Sequence, residues 1–130
     1  MAHYAFIDEN NVVVDVIVGK DENDTDDLPE GFSSWEEWYA DFKGMRCLRT
    51  SFNTHRNTHT LGGTPFRGNY ASIGGVYNDI DDVFIENKPF ESWILNTTDF
   101  GWDAPVPYPA DAEPLEYVWD EATLSWILYN

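Results

Sequence analysis

His55 and His59 are the first place to look for metal chemistry in this chain, because two imidazoles four residues apart share one face of a helix. The neighbouring residues argue against that use. Arg56-Asn57-Thr58 and Gly62-Gly63 make a helix a poor expectation here, and no Glu follows His55 to serve as the base of a zincin. A loop whose histidines bond backbone or a partner is favoured, no metal site is assigned, and His3 stands too isolated to carry a role. The acidic run Asp21-Glu22-Asn23-Asp24-Thr25-Asp26-Asp27 spaces oxygens as a calcium loop does. It lacks Gly at the sixth position and has Phe32 where a bidentate Glu is needed, so a solvated loop is expected.

Other chemistries fare no better. Gly62-Gly63, Gly68 and Gly74-Gly75 neither match a P-loop nor open a convincing helix, and Arg67-Gly68-Asn69-Tyr70 is not an RNA-recognition box. No Gly-x-Ser-x-Gly occurs, and the single Cys47, set in Met45-Arg46-Cys47-Leu48, reads as a small buried strand residue. Carboxylate pairs cannot be diagnostic in a chain with 24 Asp and Glu, since any two of them can fall at a glycosidase separation. The expectation is a protein that is not an enzyme, with no cofactor.

The formal charge of −17 argues against nucleic acid and against an anionic membrane, both of which require Lys and Arg. That net value conceals an asymmetry. Between Lys43 and Asn78 there is no acidic residue, yet the segment holds Lys43, Arg46, Arg49, Arg56 and Arg67 with His55 and His59. Either these bases pair with the chain's own acids, or a basic central loop docks on an acidic partner, including another copy of the chain. The N-terminal sequence lacks a signal peptide's basic region and apolar run, and no stretch is long enough to cross a membrane as a helix, so folding in cytoplasm is expected. The Asn-x-Thr triplets at Asn23 and Asn96 then carry little weight.

The elements that must position these residues are read from turns and periodicity. A pattern of Asn or Asp, a polar residue three on and a large apolar residue six on recurs at Asp8…Asn11…Val14, Asn78…Asp81…Phe84, Asn96…Asp99…Trp102 and Asp120…Thr123…Trp126. The leading side chain can bond the backbone two residues on, so each copy predicts a hairpin turn. The first hairpin spans residues 3–18, with Tyr4, Phe6 and the valines 12, 14, 16 and 18 alternating. Ser34-x-x-Glu37 with Gly44 predicts a helix near 34–43, and Trp35, Trp38, Tyr39 and Phe42 should pack it onto that first sheet. A strand through Met45–Phe52 should follow, then a long polar loop over 53–69 without sustained periodicity.

Pro105, Pro107, Pro109 and Pro114 make the stretch Ala104–Pro114 extended and unfit for central pairing, with a reach on the order of 30 Å. The final hairpin, Tyr117–Tyr129, would sit on that arm and must fold back or lie on a neighbour, because an isolated hairpin is marginal in water. The fold class is therefore mainly β (α+β): short hairpins and a small antiparallel sheet with one amphipathic helix. It divides into a body over 1–104, a Pro-rich linker over 105–114 and a C-terminal arm over 115–130. Trp93, Trp102, Trp119 and Trp126 flank turns where rings can stack on sugars, but cross-hairpin aromatic pairing is the favoured role.

The order of motifs resembles a known family. Met1-Ala2-His3-Tyr4-Ala5-Phe6-Ile7-Asp8, Arg49-Thr50-Ser51-Phe52-Asn53-Thr54-His55, Phe66-Arg67-Gly68-Asn69-Tyr70-Ala71-Ser72-Ile73-Gly74, Pro89-Phe90-Glu91-Ser92-Trp93, Trp102-Asp103-Ala104-Pro105-Val106-Pro107 and Trp119-Asp120-Glu121-Ala122-Thr123-Leu124-Ser125-Trp126 are similar to small virion-associated proteins of tailed bacteriophages, common among marine and cyanobacterial phages. The likeness runs over nearly the whole chain. Ser72 stands where the pattern usually has Gly, and the acidic run after Lys20 falls in a variable region.

The resemblance implies a non-enzymatic structural component of the virion, assembled in host cytoplasm, and brings no catalytic residues. A capsid decoration or cement protein bridging neighbouring subunits is the leading expectation, and a tail or tail-fibre accessory that binds a glycan receptor is the alternative. The expected partners are capsid or tail subunits and other copies of the chain. The expected contact residues are Arg49, Arg56, Phe66, Arg67, Tyr70, Trp119 and Trp126, since Arg and aromatic anchors dominate interfaces.

Overall fold

The structure, a computed structural model, describes residues 2–110 and 113–129. In chain order its elements are β1 (Ala2–Ile7), β2 (Val13–Gly19), α1 (Trp35–Lys43), β3 (Arg46–Thr50), β4 (Thr54–His55), β5 (Thr58–His59), β6 (Val76–Asn78), β7 (Val83–Ile85), β8 (Ile94–Leu95), β9 (Trp102–Asp103), β10 (Tyr117–Asp120) and β11 (Ser125–Leu128). All pairing is antiparallel: one three-stranded sheet ordered β2-β1-β3 and four two-stranded hairpins.

Successive side chains of β1 point to opposite faces of the sheet, and both faces are covered. Ala2, Tyr4 and Phe6 pack with Cys47 and Trp35 beneath α1, while Ala5 and Ile7 join Val13, Ala71, Tyr77 and Phe84 on the other side. Tyr4, Ala5, Phe6 and Ile7 are all at most 1% exposed, which explains why β1 is nearly unbroken in apolar character although its sheet is antiparallel. Burial of a large side chain there contributes about 1.5–3 kcal/mol, so the central strand anchors the unit.

Helix α1 forms where the capping chemistry places it. The Ser34 Oγ accepts from the Glu37 N–H at 3.2 Å, and Gly44, at φ 70°, closes the helix with its N–H donating to the Ala40 carbonyl at 2.8 Å. Glu36 and Glu37 in the first turn and Lys43 in the last suit the helix dipole. Trp35, Trp38 and Tyr39 pack against the sheet as expected, and the Trp35 indole donates to the Asp24 carbonyl at 2.7 Å. Phe42 does not. It is 75% exposed and stacks flat on Trp38 at 5.4 Å, because the spacing sets the direction of the ring and no strand lies beyond it.

The chain leaves β2 through a clamp. The Tyr4 hydroxyl donates to the Lys20 carbonyl at 2.6 Å, and the Lys20 N–H donates to the Tyr39 hydroxyl at 3.0 Å. A Cβ at Gly19 would lie 2.7 Å from that Tyr39 oxygen and 2.8 Å from the Tyr4 ring, so the position requires glycine. The acidic run that follows is a loop, as expected, with Asp21 Oδ1 accepting from the Asn23 N–H at 2.9 Å.

All four copies of the turn pattern lie at hairpin turns: β1–β2, β6–β7, β8–β9 and β10–β11. Asp8 Oδ1 accepts from the N–H groups of Asn10 and Val12 at 2.8 and 3.0 Å, and Asn78 Oδ1 does so from Ile80 and Asp81 at 2.9 and 3.1 Å. Each turn ends near a residue with positive φ, namely Asn11, Asp82, Phe100 and Leu124. The stretch 53–69, expected to be a loop, holds one further hairpin. Arg56 and Asn57 both have positive φ, at 48° and 57°, which is the two-residue turn whose twist matches antiparallel strands, here β4 and β5.

The chain divides into two compact units: residues 1–87 with 98–100, and residues 88–97 with 101–130. The expected boundaries drew this line later, after residue 104. The third hairpin, β8–β9, belongs with the last one, and Val106 and Tyr108 of the Pro-rich stretch pack against the last hairpin within the second unit, the fold-back that was one of the two outcomes expected of the arm. There the Trp126 indole donates to the Val106 carbonyl at 2.7 Å, and the Tyr117 N–H donates to the Tyr108 hydroxyl at 3.1 Å.

Candidate association surfaces

The five cations of the acid-free segment all meet carboxylates of the first unit. Lys43 lies 3.2 Å from Asp15, Arg46 2.9 Å from Asp79, Arg49 3.5 Å from Glu22 and Arg56 3.2 Å from Asp99. Arg67 is the most committed. Its Nε donates to Asp82 at 2.9 Å, and its Nη1 donates to Glu36 and to the Arg49 carbonyl, both at 2.8 Å. Burial opposes the Arg67 charge and is outweighed by the hydrogen bond and charge of Glu36 and the charge of Asp82, so its pKa lies above the ordinary value.

The charge asymmetry of the sequence is thus an intramolecular device that ties acidic turns to a basic middle. Arg49, Arg56 and Arg67 were expected at a partner interface, and the structure places them in these internal pairs. Each would have to surrender a carboxylate before gaining one from another chain, which removes most of the incentive.

The aromatic candidates divide. Phe66 carries the Arg49 and Arg67 guanidinium carbons at 3.9 and 4.7 Å from its ring centre, and Tyr70 stacks on Phe52 at 5.3 Å, so both rings are held by neighbours in the first unit. Tyr70 is half-buried, and burial raises its pKa. Trp119 is buried, and the directly paired Trp119 and Trp126 meet edge to face at 5.2 Å, each also touching Trp93 at 6.1 Å. Their role is the cross-strand one. Trp102 is half-buried with Lys88 Nζ 5.8 Å above its ring.

His59 bonds backbone as expected, although it and His55 lie on the short strands β4 and β5 and not in a loop, and Cys47 is the small buried strand residue its setting predicts. His59 Nδ1 accepts from the Leu61 and Gly63 N–H groups, each at 3.1 Å, while the β-pairing of β4 with β5 opposes His59 to Thr54 and His55 to Thr58. Cys47 is buried, and burial with the Glu36 charge pushes its thiol up to about 12. Among the described residues no three His, Cys, Asp or Glu side chains are grouped to hold a metal ion, and no helix is long and apolar enough to cross a membrane.

Two features went unread in the sequence. The first is Glu121, whose carboxylate gathers the second unit: Oε2 accepts from the Ser92 N–H at 2.9 Å, and Oε1 from the Ser92 hydroxyl at 2.6 Å and the Trp119 indole at 2.8 Å. Those hydrogen bonds, the Ser92 one foremost, hold its pKa below the ordinary value. The second is the outer face of the last hairpin. Strand pairing puts Tyr117, Trp119, Trp126 and Leu128 on one face, and Val118 with Ile127 on the other. Tyr129, whose N–H donates to the Glu116 carbonyl at 2.8 Å, continues that second face.

Val118, Ile127 and Tyr129 are 40%, 45% and 61% exposed, so a two-stranded ribbon presents apolar side chains on both sides. The signal was visible as a missing alternation: Ser125-Trp126-Ile127-Leu128-Tyr129 has no polar residue in its last four positions. No protein-family model, curated protein or solved structure matches the chain.

Proposed function

We propose that this chain is a non-enzymatic accessory structural protein of a bacteriophage particle, a capsid decoration or cement protein that bridges neighbouring subunits after folding in the host cytoplasm. The order of sequence motifs supports the virion assignment. The observation that carries the binding mode is the outer face of β10–β11, where Val118, Ile127 and Tyr129 lie exposed between Glu116 and Asp120 in a chain of charge −17. An apolar stripe with an acidic border fits a subunit surface that is apolar at its centre and basic at its rim. Contacts made only in the assembled particle stabilise that particle by mass action.

The binding surface is therefore drawn on the ribbon's outer face, with Trp119 and Trp126 holding the ribbon from behind, in place of the basic central loop. The alternative, a tail or tail-fibre accessory reading glycans through tryptophan faces, has less support because Trp93, Trp119 and Trp126 spend their rings on one another. The test is occupancy in purified particles of a chain carrying Val118→Asp and Ile127→Asp. Losing two half-exposed apolar contacts costs on the order of 2 kcal/mol, so occupancy at limiting protein should fall more than roughly tenfold. The variant should keep its circular dichroism spectrum. A folded variant that fills particles as the parent does would end the proposal.

A further inference from the structure

The first unit also contains a cleft of about 620 Å³ that takes no part in the association surface. That volume falls in the range of small-molecule sites. It opens between the start of β1, the acidic loop after β2, the turn after β3 and the loop after β5, with His3, Glu22, Arg49, Phe52, Asn53 and His59 among its walls. Several of these groups are held in place by interactions that leave a binding atom unspent. His59 Nδ1 already accepts two backbone N–H groups, so the neutral ring carries its proton on Nε2 and offers a fixed donor.

Asn53 is tied to Thr60 by its backbone carbonyl, which accepts from the Thr60 N–H at 2.8 Å, and by its side-chain Oδ1, which accepts from the Thr60 hydroxyl at 3.5 Å, while its Nδ2 has no partner among the described residues. Phe52 is braced flat against Tyr70 and edge-on to His3 at 5.4 Å, yet it remains 52% exposed. Arg49 is immobilised over Phe66 and beside Glu22.

The composition of the walls selects the ligand. A chain of charge −17 repels anions, and Asp21 and Glu22 on the cleft wall add to that, while Arg49 has carboxylate company already. A braced aromatic face with planar amide, carboxylate and imidazole groups around it suits a flat C–H surface rimmed by hydroxyls, each of which both donates and accepts. We propose that this cleft binds a neutral saccharide, stacked on Phe52, with Asn53 Nδ2 and His59 Nε2 as donors and Glu22 as acceptor. Gly63 lies against this arrangement: a Cβ there would sit 3.2 Å from the His59 ring and disturb the imidazole. The inference stands whether or not the chain is part of a phage particle.

The experiment is a titration of the full chain, uniformly 15N-labelled, with glucose, galactose, mannose, N-acetylglucosamine, maltose and lactose, followed by amide NMR shifts. N-acetylneuraminic acid, inorganic phosphate and calcium chloride run in parallel. At least one neutral sugar should shift amides around Phe52, Asn53 and His59–Phe66 with millimolar or tighter affinity. Phe52→Ala should weaken that binding by roughly tenfold or more, the loss of one stacked ring. Asn53→Ala should weaken it as well, and provides the reading if Phe52→Ala unfolds. Phe42→Ala, which removes an exposed ring from α1 away from the cleft, should leave the affinity unchanged. No shift with any neutral sugar, shifts confined to the tryptophan-rich unit, a tighter response to the anions or calcium, or undiminished binding by both folded cleft variants would each overturn it.

Discussion

Replacing Asn69 should unfold the first unit more readily than any surface change, and the structure says by how much. The side chain is 2% exposed and makes three hydrogen bonds. Its Oδ1 accepts from the Arg56 N–H at 2.8 Å, and its Nδ2 donates to the Phe84 and Phe100 carbonyls at 2.9 and 2.8 Å. One amide thus joins the β4–β5 turn, strand β7 and the 98–100 segment. In Asn69→Ala water can reach the Arg56 amide at its partly exposed end, so the two carbonyls dominate, each costing about 1–3 kcal/mol when left unpaired.

The expected loss is about 3 kcal/mol, which at a slope of about 1.5 kcal/mol per molar lowers a urea midpoint by about 2 M. Urea unfolding followed through NMR signals of the first unit separates this from events in the second. Asn69→Asp sharpens the test, because it turns a carboxylate oxygen toward two carbonyl oxygens. At neutral pH it should be less stable than the alanine variant, and the gap should narrow in acid as the carboxyl gains a proton it can donate. A loss below about 1 kcal/mol for Asn69→Ala, or an aspartate variant more stable than it at neutral pH, would refute the reasoning.

Three further outcomes follow from the same geometry. Cys47, buried and with its thiol pushed up to about 12, should resist Ellman's reagent in the folded chain at neutral pH and react only at the rate of unfolding. Asp79 is held below its ordinary pKa by hydrogen bonds from Asn11 and Arg46, so its contribution is present above the unfolded carboxylate range and lost as pH falls through the lower folded value. Tyr77, raised to about 12 by burial and then by its bond to Asp82, contributes fully below the ordinary tyrosine value, and that contribution disappears as pH rises toward 12. Stability measured against pH should therefore lose slope on the acid side in Asp79→Asn and on the alkaline side in Tyr77→Phe. Gly19→Ala should destabilise by about 1–3 kcal/mol in thermal unfolding, since the added methyl meets Tyr39 and Tyr4 and must open the Lys20 clamp.

The pairing of charges gives the first unit a specific construction. Acidic groups from the loop after β2, from α1 and from the β6–β7 turn converge on arginines of the segment after α1. Most of these pairs are partly exposed and individually worth about 0–1 kcal/mol, so their collective effect is to select register and partner more than to add stability. Arg67 differs, with a side chain only 15% exposed and three acceptors around it, and it is the ion-pair residue whose loss should matter most.

What the sequence determined by itself was local. Four Asn or Asp residues at turn spacing mark four hairpins; at Asp8 and Asn78 the side chain bonds the backbone two residues on, a contact that acts before any distant one forms, and at Asp120 it accepts from the Thr123 hydroxyl three residues on. Ser34 and Gly44 set the two ends of α1 for the same reason. The hairpin at Arg56-Asn57 was not legible, since its strands have two residues each and it depends on Asn69 and on Tyr70, whose N–H donates to the Thr54 carbonyl at 2.7 Å.

Tertiary structure alone decided which charges meet. The asymmetry between a basic middle and acidic flanks is plain in the sequence, but pairing is a matter of distance, and only folding brings Glu36 to Arg67 or Asp99 to Arg56. It likewise decided which aromatics are spent. Periodicity gives a side chain its direction, whereas exposure depends on whether another element lies along it, and for Phe42, Phe52 and Ile127 none does enough to cover them.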